Sequence, residues 1–124
     1  MNGLYDTNIL VDYLSGVAAA KALLTDDPDP AISLITWMEI LIGAADDEEM
    51  DALRSWLDRF EVCPIEPVVA ERAVTLRRHR RIRLPDAIIQ ATAEVHNRLL
   101  FTRNTRDFPE GTPGIRVPYR LPNP

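Results

Sequence analysis

Apolar residues recur along this chain in two alternating patterns: short continuous runs, and stripes at spacings of three and four. The runs predict buried strands, and the stripes predict helices laid against them. Asn2 to Tyr5 reads as a first strand that stops at Asp6. From Thr7, Ile9, Leu10, Tyr13 and Leu14 form one face of a helix, and Gly16 suits its C-terminal cap. Val17, Ala20, Leu23 and Leu24 give a second short helix, closed by the turn-rich Asp26-Asp27-Pro28-Asp29-Pro30. Ala31 to Ser33 is a short strand, and Thr36-Trp37-Met38-Glu39 opens an apolar helix that runs to Gly43.

The second half repeats the scheme. Met50, Leu53, Trp56, Leu57 and Phe60 line one side of a strongly amphipathic helix, with Glu48, Glu49, Asp51, Arg54 and Asp58 on the other. Glu61 to Ile65 reads as a third strand, and Pro67 sits well at the first position of a helix buried through Val69, Ala73 and Leu76. A basic run, Arg77-Arg78-His79-Arg80-Arg81-Ile82-Arg83, leads to Leu84-Pro85. Asp86 to Asn97 is a helix rich in small residues, Leu99 to Thr102 a strand, Asn104 to Asp107 a turn, and Ile115 to Val117 a last strand before a Pro-rich tail. No internal repeat or linker interrupts the pattern, so residues 1–124 read as one α/β domain.

Composition narrows the classes. A chain of 124 residues can bury about two-thirds of its unfolded surface and needs no staples. The lone Cys63 cannot form an internal disulfide, and Asp6 and Asp12 interrupt any apolar stretch of a secretory signal; both favour a reducing cytoplasm. No apolar run approaches the ~20 residues of a membrane span. The net charge of −5 argues against a general nucleic-acid coat but leaves room for a local basic patch on an acidic body.

Asp6 stands where the first strand ends and a helix begins. In a sheet of parallel strands with helical crossovers, the carboxyl ends of the strands face one crevice, so an acid there is placed for chemistry. Glu39, Asp86 and the Asn104/Asp107 pair answer it. Each also has an ordinary structural role. Asp6 is a good N-cap, Glu39 follows Thr36 at capping-box spacing, Asp86 suits the first turn of a helix, and Asn104 and Asp107 form turns. Jointly, Asp6, Asn104 and Asp107 follow strands while Glu39 and Asp86 sit in the first turns of helices. If they converge, their repulsion raises their pKa values or calls for a cation between them. Mg²⁺ takes oxygen ligands, keeps several waters, activates a water and stabilises charge on phosphate, so metal-dependent phosphodiester hydrolysis is the natural chemistry. His79, His96 and Cys63 lack partners for metal or nucleophile chemistry, and Trp37 and Trp56 fall on apolar stripes expected in the core. Arg77, Arg80, Arg81 and Arg83 form either a solvated helix end or a grip on RNA phosphates at the rim of the acids, with Arg103 and Arg106 in the same part beside Asn104.

These residues resemble the PIN-domain ribonucleases, and most closely the VapC-type toxins of toxin-antitoxin pairs. The matching pieces are Asp6-Thr7-Asn8, Ser33-x-x-Thr36-x-x-Glu39 with Gly43, Leu84-Pro85-Asp86-Ala87 leading to Ala91-Thr92-Ala93, and Thr102-Arg103-Asn104-x-x-Asp107-Phe108. They span nearly the whole chain in the family's order. The resemblance implies a Rossmann-like three-layer α/β/α sandwich with a mainly parallel sheet, dependence on Mg²⁺ or Mn²⁺, cleavage of RNA, a homodimer, and silencing by a small VapB-like antitoxin. It implies that Asp6, Glu39 and Asp86 are metal-binding and catalytic, with Asn8 and Thr102 as polar supports. Many relatives carry Asp where this chain has Asn104, so the fourth anionic position either passes to Asp107 or is weakened. Gln90 stands where small residues are usual and is expected to narrow the pocket near Asp86.

Two other classes compete. A non-catalytic PIN-like module would hold RNA or a protein through the arginine run without cutting. A phosphoacceptor signalling domain also gathers acids around Mg²⁺, but it needs a lysine after a late strand, and Lys21, the only lysine, lies in the second helix.

Overall fold

The structure is a computed structural model that describes residues 2–122. Its elements follow in the order β1 (Gly3–Tyr5), α1 (Thr7–Leu14), α2 (Ala18–Asp26), β2 (Ala31–Ser33), α3 (Leu34–Ile42), α4 (Asp47–Leu57), β3 (Glu61–Cys63), α5 (Pro67–His79), α6 (Leu84–Val95), β4 (Leu99–Phe101) and β5 (Ile115–Arg116). The five strands form one sheet in the order β3-β2-β1-β4-β5, and every pairing is parallel. The register sets Leu4 beside Ala31 and Leu100, and Tyr5 beside Phe101.

Alternation along these short strands makes the three layers. Tyr5, Ile32 and Phe101 point to one face, where they pack with Ile9, Leu10, Leu24, Ile40, Leu41, Leu57 and Phe60 from the first four helices and the segment after them. Leu4, Ala31, Cys63 and Leu100 point to the other, against Ile89 and Ala93 of α6 and against Phe108. Helix α5 joins that layer through Val69, Ala73 and Leu76, which meet Ala87 and Ala91 of α6. Because both faces are covered, the strands read as continuous apolar runs and not as alternating ones.

Two glycines carry backbone duties. Gly16, at φ +88, closes α1 in a Schellman motif: its amide donates to Tyr13 O and that of Val17 to Asp12 O. Gly3 lies under the Tyr5 ring, where a Cβ would come within 2.8 Å of the Tyr5 hydroxyl oxygen and 2.9 Å of Phe101. That clearance lets the Tyr5 hydroxyl donate to Asp27 Oδ2 at 2.6 Å. Burial and this acceptor push the Tyr5 hydroxyl pKa upward.

Chain order reverses between β1 and β4, which makes the carboxyl ends of these two strands the switch point of the sheet. The opposite end of the sheet is neutralised: the largely buried Arg98 guanidinium reaches Asp29, Glu61 and Gly3 O. Among the described residues no helix is long and apolar enough to cross a membrane.

Candidate active site

At the switch point the polypeptide leaves β1 through Asp6, which is only 4% exposed. Its backbone is extended, so its side chain folds forward to cap α1: Oδ1 accepts from the Thr7 amide at 2.7 Å. Oδ2 accepts from Thr102 Oγ1 at 2.7 Å and from Asn8 Nδ2 at 3.2 Å. Thr102 is fully buried just beyond β4, and its hydroxyl oxygen in turn accepts from the Asn104 amide at 2.9 Å. Asn8 Oδ1 accepts from the Arg103 amide at 3.2 Å. Thus one polar net ties the exits of β1 and β4 together.

Glu39 arrives from α3, where its Oε1 accepts from the Thr7 hydroxyl at 2.7 Å. The Thr36 hydroxyl stands 3.1 Å from the same Thr7 oxygen. Asp86, also 4% exposed, comes from the first turn of α6, and its Oδ2 accepts from Arg83 Nε at 3.3 Å. Asp6, Glu39, Asp86 and Asn104 line a single hollow of about 270 Å³ together with Thr7, Asn8, Val11, Arg83 and Arg103. The consequence is electrostatic. Burial pushes the Asp6 pKa up to about 6, with Asp86 and Glu39 adding to it by repulsion while the Thr102 hydroxyl and Thr7 amide oppose the rise.

Among the described residues no three His, Cys, Asp or Glu side chains already stand close enough to ligate one bare ion. The hollow instead offers a few separated carboxylates around open space, which is the donor set of a hard cation that keeps several of its waters. A cation there would also offset the burial that raises Asp6 and the repulsion from Asp86 and Glu39 that adds to it.

The PIN domain family matches this sequence over residues 4–111. The chain belongs to the PIN-domain family. Ribonuclease VapC10 of Mycobacterium tuberculosis is 36% identical over 127 residues, covering 96% of this chain and 94% of that protein. Ribonuclease VapC19 of the same organism is 33% identical over 125 residues, covering 94% and 98%. Among solved structures, a toxin-antitoxin complex from Klebsiella pneumoniae superposes with a TM-score of 0.88 at 48% identity, covering 96% of this chain and 99% of that one. The match extends over all three layers, so the three-layer α/β/α sandwich expected from the sequence is the fold of this PIN domain.

Within this PIN domain the residues singled out in the sequence fall into groups. Asp6, Asn8, Glu39, Asp86 and Asn104 surround the hollow, and Thr102 lies beneath it. Asp107 stands behind Asn104, accepting from Asn104 Nδ2 at 2.9 Å while its own amide donates to Asn104 Oδ1 at 3.3 Å. The basic run divides. Arg83 lines the rim, and Arg77 and Arg81 are exposed beside it. Arg80 turns inward, donating to Gln90 Oε1 and to the carbonyl of Asp107. Arg103 lines the hollow but is held by Asp12, to which it donates through Nε at 2.5 Å and Nη2 at 2.9 Å.

Three expectations are corrected. Helix α3 opens at Leu34 with Ser33 as its N-cap, so Thr36 and Glu39 form no capping box and Glu39 lies beyond the first turn; their side chains face Thr7 instead. Gln90 does not narrow the acidic hollow, because its side chain is taken up by Arg80 in a separate cavity beside Phe108. Trp37 and Trp56 are only partly buried, packed against the core and not inside it, and Trp56 walls a surface groove. Thr7 and Thr36 were not assigned site roles from the sequence. The available signal was that a hydroxyl directly follows the strand-end acid and another precedes Glu39 by three positions.

Proposed function

We propose that this protein is an endoribonuclease that hydrolyses RNA phosphodiester bonds with Mg²⁺ or Mn²⁺, and that it is the toxin of a toxin-antitoxin pair. The observation that carries this reading is the convergence of Asp6, Glu39 and Asp86 on one hollow, where the burial and repulsion that raise Asp6 favour a bound cation. The ribonuclease names of two relatives support RNA as the substrate. The Klebsiella pneumoniae complex supports an antitoxin partner.

Asp6, Glu39 and Asp86 are the residues that would hold the cation, with Asn104 as a neutral oxygen donor and Asp107 fixing it. Such a cation, when bound, supplies a water of lowered pKa and stabilises the charge that grows on the phosphate. The chain does the rest. Thr102 and the Thr7 amide hold Asp6 ionised and in one orientation, and the Thr7 hydroxyl aims Glu39. Asn8 and the Asn104 amide lock the exits of both strands to this geometry. Arg83 supplies a positive rim on which a phosphate can rest as it approaches.

The chain has a surface suited to that antitoxin. An apolar groove of about 630 Å³ runs between α1, α3 and α4, walled by Val11, Leu14, Ile40, Leu53 and Trp56. Val11 and Glu39 line both this groove and the acidic hollow. A segment with apolar side chains and one basic residue would fill the groove and place its charge among the acids.

Purified protein freed of antitoxin should cleave RNA in Mg²⁺, lose that activity with chelator, and lose it in Asp6→Asn, a variant that keeps the cap on α1. Unimpaired cleavage by Asp6→Asn, or cleavage indifferent to chelator, would overturn the reading.

A further inference from the structure

Beside the acidic hollow lies a second one, of about 450 Å³, lined by Arg77, Arg81, Ile82 and Arg83. Its formation follows from the local chain. Helix α5 ends at His79, and Arg80 and Arg83 have extended backbones, so alternate residues of the link face opposite ways. Arg80 and Ile82 go inward: Arg80 to Gln90 and the Asp107 carbonyl, Ile82 into the core between α5 and α6. Arg81 and Arg83 are thereby turned out, where they meet Arg77 from the last turn of α5.

Among the described residues, Arg77 and Arg81 are not matched by a carboxylate, although the chain carries a net charge of −5. The fork of a guanidinium fits the oxygens of a phosphodiester, and three on one concave surface fit an anionic strand better than a point charge. Arg83 walls this hollow and the acidic one alike. We propose that the Arg77, Arg81 and Arg83 hollow is a second subsite, which grips the backbone of single-stranded RNA next to the phosphate held in the acidic hollow. This rests on the nuclease reading. A strand with phosphates at regular intervals can occupy both hollows at once, with successive phosphates meeting the guanidinium forks of one and the cation site of the other.

The test uses a labelled single-stranded RNA oligonucleotide and the Asp6→Asn protein with Mg²⁺, titrated from low to high salt. Adding Arg77→Ala and Arg81→Ala together should weaken binding about tenfold at low salt and make the slope of log affinity against log salt shallower by about 1.4, two phosphates at ~0.7 each. Arg78→Ala removes a neighbouring charge that does not line the hollow and should leave the slope nearly unchanged. In otherwise wild-type protein the double variant should raise KM with little change in kcat. Unaltered affinity and slope in the double variant, an equal effect from Arg78→Ala, or equally tight binding of a polyglutamate peptide would each overturn the subsite. The two readings fail separately. Wild-type protein that binds RNA through these arginines without cutting it would sink the nuclease and leave the grip, while cleavage with an unchanged KM in the double variant would sink the grip alone.

Discussion

Thr102 and Asp6 stand 96 residues apart in the chain, yet the fully buried threonine hydroxyl donates at 2.7 Å to the aspartate, which is 4% exposed on the floor of the hollow. This bond opposes the burial that raises the Asp6 pKa. Thr102→Val keeps the shape of the side chain and removes the donor, so Asp6 should hold its proton to a higher pH. The acid limb of the pH–rate profile for RNA cleavage should move upward by about one unit, which is about tenfold less activity on that limb, with recovery at alkaline pH. Activity that falls equally at every pH would show that Thr102 acts only on structure.

The raised Asp6 pKa also fixes how stability depends on pH without metal. The folded chain keeps this proton up to about 6, whereas the unfolded chain releases it near the ordinary aspartate value of 3.8. The folded state therefore binds more protons in that window, and the contribution of Asp6 to stability falls as pH rises through it. The full loss is of order 3 kcal/mol. Comparing Tm for wild type and Asp6→Asn from pH 4 to 7 in chelator isolates it: the difference should shift against the wild type as pH rises, and Mg²⁺ should raise wild-type Tm more at pH 7 than at pH 5.

Arg80 connects the α5–α6 link to the turn that carries Asn104. Its guanidinium bridges Gln90 Oε1 and the Asp107 carbonyl while lying 5.8 Å from the Phe108 ring centre. Arg80→Ala leaves those two acceptors without a donor, which should cost about 2 kcal/mol. Faster hydrogen exchange over residues 102–108 and a kcat loss larger than the KM change would mark it as a positioning residue. Arg80→Lys should recover only part, since one ammonium lacks the planar fork.

Much of this site was legible in the sequence, for physical reasons that differ by residue. Asp6 is visible because an apolar run, an acid and a helical stripe succeed one another, and the fold makes that junction a strand end. Asp86 is visible because Pro85 marks a helix start. The setting of Glu39 was not, since Ser33 and Thr36 are equally good caps by local chemistry; the choice is made by Thr7, a partner 32 residues away from Glu39. Nor was the division of the arginines. In the sequence they form one basic run, and only the extended link after His79 turns Arg80 inward and Arg81 outward. Gln90 lies one turn beyond Asp86, which suggested a shared pocket, but Arg80 draws its amide away.

Asp12 lies buried behind the hollow and accepts from three directions: Arg103 Nε and Nη2, and the Tyr119 hydroxyl at 2.7 Å. Burial and this acidic partner push the Tyr119 hydroxyl pKa upward, so it remains a donor throughout the physiological range. The cluster thereby fastens the segment after β5 to α1 and holds Arg103, whose amide braces Asn8. Tyr119→Phe removes one bond and should cost about 1 kcal/mol. Asp12→Ala leaves a partly buried guanidinium without its carboxylate and should cost about 3 kcal/mol, with reduced activity because the Asn8 brace loosens. Chemical denaturation of both single variants and the double variant decides whether this is one unit. A shared network predicts that Tyr119→Phe costs almost nothing once Asp12 is gone, whereas costs that simply add would mean that the tail and Arg103 are held independently.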